Sequence, residues 1–304
     1  MKTIRHFIII CLLIASVSCK KNTTVTTPVI TVHPDTTLTT GIKATLPAVL
    51  KESSGLCYTD GQLWSFGDSG NPDNIYKVDT TTGAILQTVT IANYVNTDWE
   101  DIAADALYIY IGDFGNNSGD RTDLKILRIK KSDLNNTAAS FSINAEAINF
   151  SYTDQTDFAA NDNSNFDCES LLAIHDSLYI FTKDAGDLKT RCYKMPAVPG
   201  TYAVSPFTSF DSQGKITAAT YNPDTKEVAL LGYMNKKIQP FIWFLNDYTA
   251  DNFFSGTAKR FNIGNQSDWQ TEGLDYITPG RLFMSCESST SHTATLYYVQ
   301  KQEF

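Results

Sequence analysis

The sequence predicts an all-β fold: a β-propeller of four-stranded blades, five in number, closed by its own N-terminal strand. Three observations carry that expectation. Short strand-like runs fill most of the chain, no helical stripe of useful length competes with them, and one strand-turn-strand pattern recurs about every 50 residues.

The runs QLWSFGD, NIYKVDT, ILQTVTI, ALYIYIGD, LKILRIKK, SLYIFTKD, FIWFLN and TLYYVQ are rich in β-branched and aromatic residues, which suit a pleated, half-buried surface. Between them stand DTTTG, NPDTKE and TPGR, whose Asx and Gly residues accept the backbone angles of tight turns. Aligned on one apolar position, the repeats are SSGLCY (53–58), WEDIAA (99–104), CESLLA (168–173), ITAATY (216–221) and TEGLDY (271–276). Each leads into a second run ending at Gly67-Asp68, Gly112-Asp113, Thr182-Lys183, Gly232-Tyr233 or Cys286-Glu287. A third strand follows each time, and a fourth in all but the last, so the unit is a four-stranded meander whose closed form is a propeller.

The last repeat stops at TLYYVQKQEF, while GIKATLPAVL (41–50) precedes the first repeat with no blade of its own. If that run completes the last blade, the ring closes and no bare edge is left. The stretch 135–165 reads as one strand, INFSYTD, within long loops; six blades is the alternative if it hides more.

Ahead of this domain, MKTIRHFIIICLLIASVSCKK has the basic start, apolar core and small residues of a secretory signal, and its apolar part is too short to span a bilayer. Ser16-Val17-Ser18-Cys19 resembles the lipobox of bacterial lipoproteins. That resemblance implies cleavage after residue 18, acylation of Cys19, and a lipid-anchored protein of a Gram-negative cell envelope, on the periplasmic or surface face of the outer membrane. Plain cleavage beside a chance Cys is the alternative. Residues 19–40, rich in Thr and Pro, read as a tether, and 41–304 as a single domain.

Removing residues 1–18 takes Lys2 and Arg5 from the 24 basic residues and leaves 22 against 33 acids, a net charge of −11. Such a chain offers no electrostatic footprint for nucleic acid. Cys57, Cys168, Cys192 and Cys286 show no CxxC spacing, so they read as small buried residues rather than a zinc site or disulfide framework.

In an antiparallel meander, the start of the first strand and the end of the second share an edge. With the first strand innermost, Ser54, Glu100, Glu169, Thr217 and Glu272 gather around one channel mouth, and Asp68, Asp113, Lys183, Tyr233 and Glu287 lie behind them. Glu100, Glu169 and Glu272 would repel one another unless a cation, a proton or a basic group compensated them. Oxygen-only ligands without His or Cys favour calcium or magnesium, with Asp68, Asp113 and Glu287 as further ligands. Lys183 is the alternative counter-ion, and structural capping by the acids is the alternative to a site.

Other motifs point elsewhere. GDSGN (67–71) looks like a serine-protease segment, but none of His6, His33, His175 and His292 has a persuasive companion acid. Asn161, Asn163, Asn165 and Asp167 alternate like a calcium loop, yet lack its Gly and distal Glu. Trp64, Trp99, Trp243 and Trp269 read as inter-blade packing rather than a sugar platform.

The segments ESSGL, DWEDIA, DCESL and TEGL, each leading into a strand pair, resemble the SdiA-regulated and esterase-like-phytase propellers of bacteria. The pairing of DWEDIA with IGDFGNN, and of DCES with LYIFTK, is similar to lipoproteins of Bacteroidota. The resemblance implies a calcium-associated propeller with Glu100, Glu169 and Glu272 at the site and Asp68, Asp113 and Glu287 behind. Thr217 departs from the pattern, and no basic cluster stands ready for a phosphate ester. Three functions remain: one is a tethered propeller binding a small molecule, glycan or protein, and another is a metal-dependent hydrolase (phosphoesterase or glycosidase) with Glu100, Glu169 and Glu272 as catalytic candidates. A structural interaction module with no channel ligand is the third.

Overall fold

The structure is a computed structural model that describes residues 28–234, 238–264 and 268–301. The signal segment and Cys19 lie outside the described residues. No helix among the described residues is long and apolar enough to cross a membrane.

The N-terminal arm supplies β1 (Val29–Thr37) and β2 (Thr39–Thr45). The first blade is β3 (Ser53–Thr59), β4 (Gln62–Gly67), β5 (Asn74–Val78) and β6 (Ile85–Ile91). The second runs through β7 (Trp99–Ala104), β8 (Tyr108–Asp113) and β9 (Lys125–Lys130), detours along β10 (Ser140–Ile143) and ends with β11 (Glu146–Tyr152). The third has β12 (Cys168–Ile174), β13 (Ser177–Thr182) and β14 (Thr190–Pro196), a detour along β15 (Gly200–Val204), and β16 (Pro206–Phe210). The fourth is β17 (Lys215–Asn222), β18 (Glu227–Met234), β19 (Ile238–Asn246) and β20 (Thr257–Asn262). The fifth is β21 (Thr271–Thr278), β22 (Arg281–Cys286) and β23 (Thr295–Gln300), completed by β2. Five four-stranded blades thus form a ring with β3, β7, β12, β17 and β21 innermost, and β2 closes it antiparallel to β23.

Two expectations need correction. The stretch 135–165 holds two strands rather than one: β10 leaves the second blade to run parallel to β6 of the first. Residues 29–37, expected to be tether, form β1, which runs parallel to β20 of the fourth blade before the chain enters the fifth as β2. β15 does the same against β11. In three blades, therefore, the segment just before the fourth strand pairs with the outer edge of the preceding blade. The arm folds because β20 presents the same unpaired edge that β6 and β11 present, and an edge of free N–H and C=O groups recruits any compatible strand. Composition alone marks a Thr-rich segment as extended and cannot show that an edge is waiting for it.

Aromatic packing joins the blades. Phe66 of the first blade meets Trp99 of the second edge-to-face at 5.5 Å, and Phe210 of the third meets Trp243 of the fourth at 4.9 Å. Trp64, Trp99 and Trp243 are fully buried, and Trp269 packs on Tyr297. Cys57, Cys168, Cys192 and Cys286 are free and buried.

Candidate acidic channel mouth

Every inner strand carries a bulge near its start. Trp99 pairs with Asp113 but Asp101 with Gly112; Cys168 with Thr182 but Ser170 with Phe181; Ile216 with Gly232 but Ala218 with Leu231; Thr271 with Cys286 but Gly273 with Ser285. The extra residues are Glu100, Glu169, Thr217 and Glu272, and the first blade slips at the same place between Ser53 and Leu56. A bulge leaves its extra residue outside the ladder and re-aims its side chain. Here that device delivers one residue per blade to the channel.

The delivered residues divide by chemistry. Ser54 donates its hydroxyl to the Glu100 carbonyl at 2.6 Å, and Thr217 donates to the Thr271 carbonyl at 2.6 Å, so both tie their blade to the next. Glu100, Glu169 and Glu272 are buried carboxylates instead. Oxygens of Asp68, Asp98 and Glu100 lie within 4.8 Å of one another, as do those of Glu100, Asp167 and Glu169. Five carboxylates therefore share one basin, and Lys183 enters it from the third blade, bonding Glu169 directly and Asp167 at 3.2 Å.

Electrostatics follows. Burial, then the charges of Glu169 and Asp68, holds the Glu100 carboxyl well above the ordinary range, with Lys183 pulling the other way. Burial and the neighbouring Asp68 and Asp167 push Asp98 up to about 6. Glu169 is raised mainly by burial, against the pull of Lys183. The Lys183 ammonium is raised because Asp167 and Glu169 together outweigh its own burial. Tyr233 is raised by burial and by Glu272 beside it, which ties the fourth and fifth blades to the same field, with Glu287 close by.

Of the residues named from sequence, the structure brings Asp68, Glu100, Glu169 and Lys183 into direct proximity, with Glu272, Tyr233 and Glu287 adjoining. Asp113 does not join them. The pairing registers make it the counterpart of Gly67, Thr182, Gly232 and Cys286, so the residue equivalent to Asp68, Lys183, Tyr233 and Glu287 is Phe114, one position later. Phe114 is buried in the apolar core beside Phe150. Asp113 instead accepts bonds from Arg121 at 2.9 Å and Lys125 at 3.1 Å, and from the Asp98 N–H at 3.2 Å. It positions the Asp98 turn rather than serving as a ligand. Gly112-Asp113 imitates Gly67-Asp68 in residue type while the ladder is offset by one.

Sequence reading missed Asp98 and Asp167 as members of the site. A signal existed: Asp98-Trp99-Glu100 and Asp167-Cys168-Glu169 repeat a D-x-E spacing, and extended backbone places residues i and i+2 on one side. Asp167 belongs to this basin rather than to a separate 161–167 calcium loop; its carboxylate also accepts the Asn116 N–H at 2.7 Å. The expectation that no Cys or His stands near needs amendment too, since the Cys286 thiol meets His292 Nε2 at 3.2 Å, next to Glu287. Burial pushes that thiol far above its ordinary range, which favours its protonated form.

Not every acid near the channel belongs to the mouth. Asp101 accepts the Leu171 N–H at 2.8 Å across a blade boundary, and Asp275 accepts the Tyr58 N–H at 2.5 Å and the Thr220 hydroxyl at 2.5 Å. These two do what capping acids do, stapling adjacent inner strands. A cavity of about 1670 Å³ also lies away from the mouth, at the opposite ends of the inner strands.

No family model matches the chain, and no curated protein matches it. Solved structures similar to it include the PQQ-bound aldose sugar dehydrogenase of Streptomyces coelicolor, with 11% identity, a TM-score of 0.48, and coverage of 86% of this chain and 98% of that one. An alpha-L-arabinofuranosidase of Fusarium graminearum, in complex with an iminosugar inhibitor, has 8% identity, a TM-score of 0.48 and the same coverage. The nidogen/laminin complex has 11% identity and a TM-score of 0.44, covering 83% of this chain and 86% of that one. Likeness at this level concerns architecture alone.

Proposed function

We propose that the protein is an envelope-anchored binding propeller that holds a divalent cation, calcium, among Asp68, Asp98 and Glu100, with partner recognition in the loops 114–123 and 154–167. The observation that carries the cation is Glu100. Its side chain is only 5% exposed, two other carboxylates stand within 4.8 Å, and no ammonium or guanidinium among the described residues pairs with it; Ser54 Oγ at 3.5 Å is its one hydrogen-bond contact. A buried carboxylate in such company demands a positive charge or a proton.

The donor set fits a hard cation. All three ligands are carboxylate oxygens, and Asp68 and Asp98 are half-exposed, leaving positions for water. Magnesium is usually held by one or two carboxylates, whereas calcium takes more oxygens in looser geometry. Gly115 borders the site, where a Cβ would collide with Glu100 Oε1 and Asp98 Oδ2. Lys183 would serve as internal cation for the inner half, next to Asp167 and Glu169.

Kinship with the SdiA-regulated and esterase-like-phytase propellers belongs to this reading and rests on the DWEDIA, DCESL and TEGL segments. Phosphate-ester chemistry has less support, since Lys183 is bonded to Asp167 and Glu169, and Arg121 to Asp113 and Asp123. Anchoring rests on Ser16–Cys19; Cys19→Ala should move the protein from the membrane to the soluble fraction, and an unchanged distribution would discard the lipid anchor. The cation is tested by metal content and by calcium-dependent melting of the wild type beside Glu100→Gln. Absence of a bound divalent ion, with the same melting in calcium and in chelator, would end the reading.

A hydrolase is the second reading, favoured by the raised carboxyls of Glu100 and Asp98 beside Asp68. Burial raises Asp68 as well, and carboxyls in different surroundings within one basin can divide proton donation from water activation. It requires turnover of nitrophenyl phosphates or glycosides that disappears in Glu100→Gln or Asp98→Asn while the fold persists. No turnover across both panels in calcium removes it.

A further inference from the structure

The cavity at the far end of the channel has a composition of its own. Pairing registers make Tyr58, Ala104, Ala173, Tyr221 and Tyr276 equivalent residues near the ends of the five inner strands. The fourth, fifth and first blades, which are neighbours in the ring, thus contribute three tyrosines, while the second and third contribute alanines. All five line a space of roughly 1670 Å³, with Tyr58 and Tyr221 partly exposed and Tyr276 buried, its hydroxyl donating to Glu227.

A carboxylate stands in the aromatic wall. Asp275 lies between Tyr58 and Thr220, accepting the Tyr58 N–H, the Thr220 hydroxyl and, at 2.8 Å, the Tyr276 N–H. Part of it faces the lumen, and no ammonium or guanidinium among the described residues pairs with it. Poor solvation pushes its carboxyl up to about 6. Around the rim, Asp176, Asp224 and Asp247 are exposed. Of the basic groups lining the cavity, Arg128 is held by Glu146 at 2.7 Å, which leaves His175 and Lys226, both exposed.

We propose that this funnel is a second binding site, separate from the acidic mouth, and that it takes a small aliphatic polyamine. An ammonium seated at Asp275 gains a charge-assisted hydrogen bond and the faces of neighbouring tyrosines. The methylenes run along the alanine side, and a second ammonium reaches the rim carboxylates. A neutral glycan would use the tyrosines but gain nothing from the acids, and an anion would be repelled.

The test is calorimetric titration of spermidine into the whole protein with calcium saturating, so that the acidic mouth is already occupied. One spermidine per chain is expected, weakened at least tenfold by Asp275→Asn and by Tyr221→Ala. Tyr221 is half-exposed, so its variant keeps the test decisive if the loss of the Asp275 staple unfolds the chain. No spermidine binding, or binding untouched by Tyr221→Ala, overturns the proposal. Loss of binding in Glu100→Gln would assign spermidine to the acidic mouth and also overturn it. Maltotriose binding that depends on Tyr221 while spermidine fails would replace the ligand class. None of these outcomes bears on calcium.

Discussion

At Glu100, burial and like charge act in the same direction, and no basic group among the described residues is in contact with it. Replacing it with Gln removes a repulsive charge and keeps the shape. We expect Glu100→Gln to melt higher than wild type in chelator, by about 1–2 kcal/mol of stability, and to lose the melting increase that calcium gives the wild type. Asp113 behaves in the opposite way, since its carboxylate is compensated by Arg121 and Lys125. Asp113→Ala leaves those cations without their buried partner and frees the Asp98 turn; denaturant unfolding should show a loss of about 3–5 kcal/mol. A loss below 1 kcal/mol would mean that solvent replaces the pair.

The bulges and the lacing strands decide function at the scale of elements. The loop leaving β8 passes so close to the acidic trio that Gly115 has no room for a side chain. Gly115→Ala should therefore weaken calcium at least tenfold with every carboxylate still present, measured by titration with a competing chelator. The arm makes two separable contributions. Removing β2 exposes the edge of β23 in the closing blade, and a chain starting after residue 45 should aggregate in sedimentation experiments. Removing only residues up to 37 strips an outer fifth strand from the fourth blade and should leave a folded monomer. Equal behaviour of the two truncations would show that closure does not depend on β2.

The whole molecule concentrates carboxylates that are poorly solvated when folded. Asp98 and Asp275 are raised to about 6, and Glu100, Asp101 and Glu169 are held well above their ordinary range, each chiefly by burial. Such groups keep their protons in the folded chain at a pH where the unfolded chain has released them. Their contribution to stability is full below the unfolded value near 4 and fades as pH rises through about 6 and beyond. The raised ammonium of Lys183 changes nothing in that window. In chelator, the melting temperature should fall from pH 5 to pH 8, and calcium should restore more of it at pH 8 than at pH 5, where protons compete for the ligands. A flat profile in chelator would mean that the basin is compensated in the metal-free protein.

The amino-acid sequence by itself determined the all-β class, the five repeats, the closing strand and the position of Glu100, Glu169 and Glu272 in each unit. These are periodic features, and local spacing records them: alternation marks strands, and a recurring S-G-L, E-D-I or E-G-L marks the same corner of each blade. The tertiary structure alone decided which acids share a basin. A one-residue ladder offset separates Asp113 from the position of Asp68, and only pairing across strands reveals it. The same holds for β1 on β20, for Asp275 between Tyr58 and Thr220, and for the tyrosine wall facing two alanines. Each joins residues far apart in the chain, so its energy comes from contacts that no local pattern encodes.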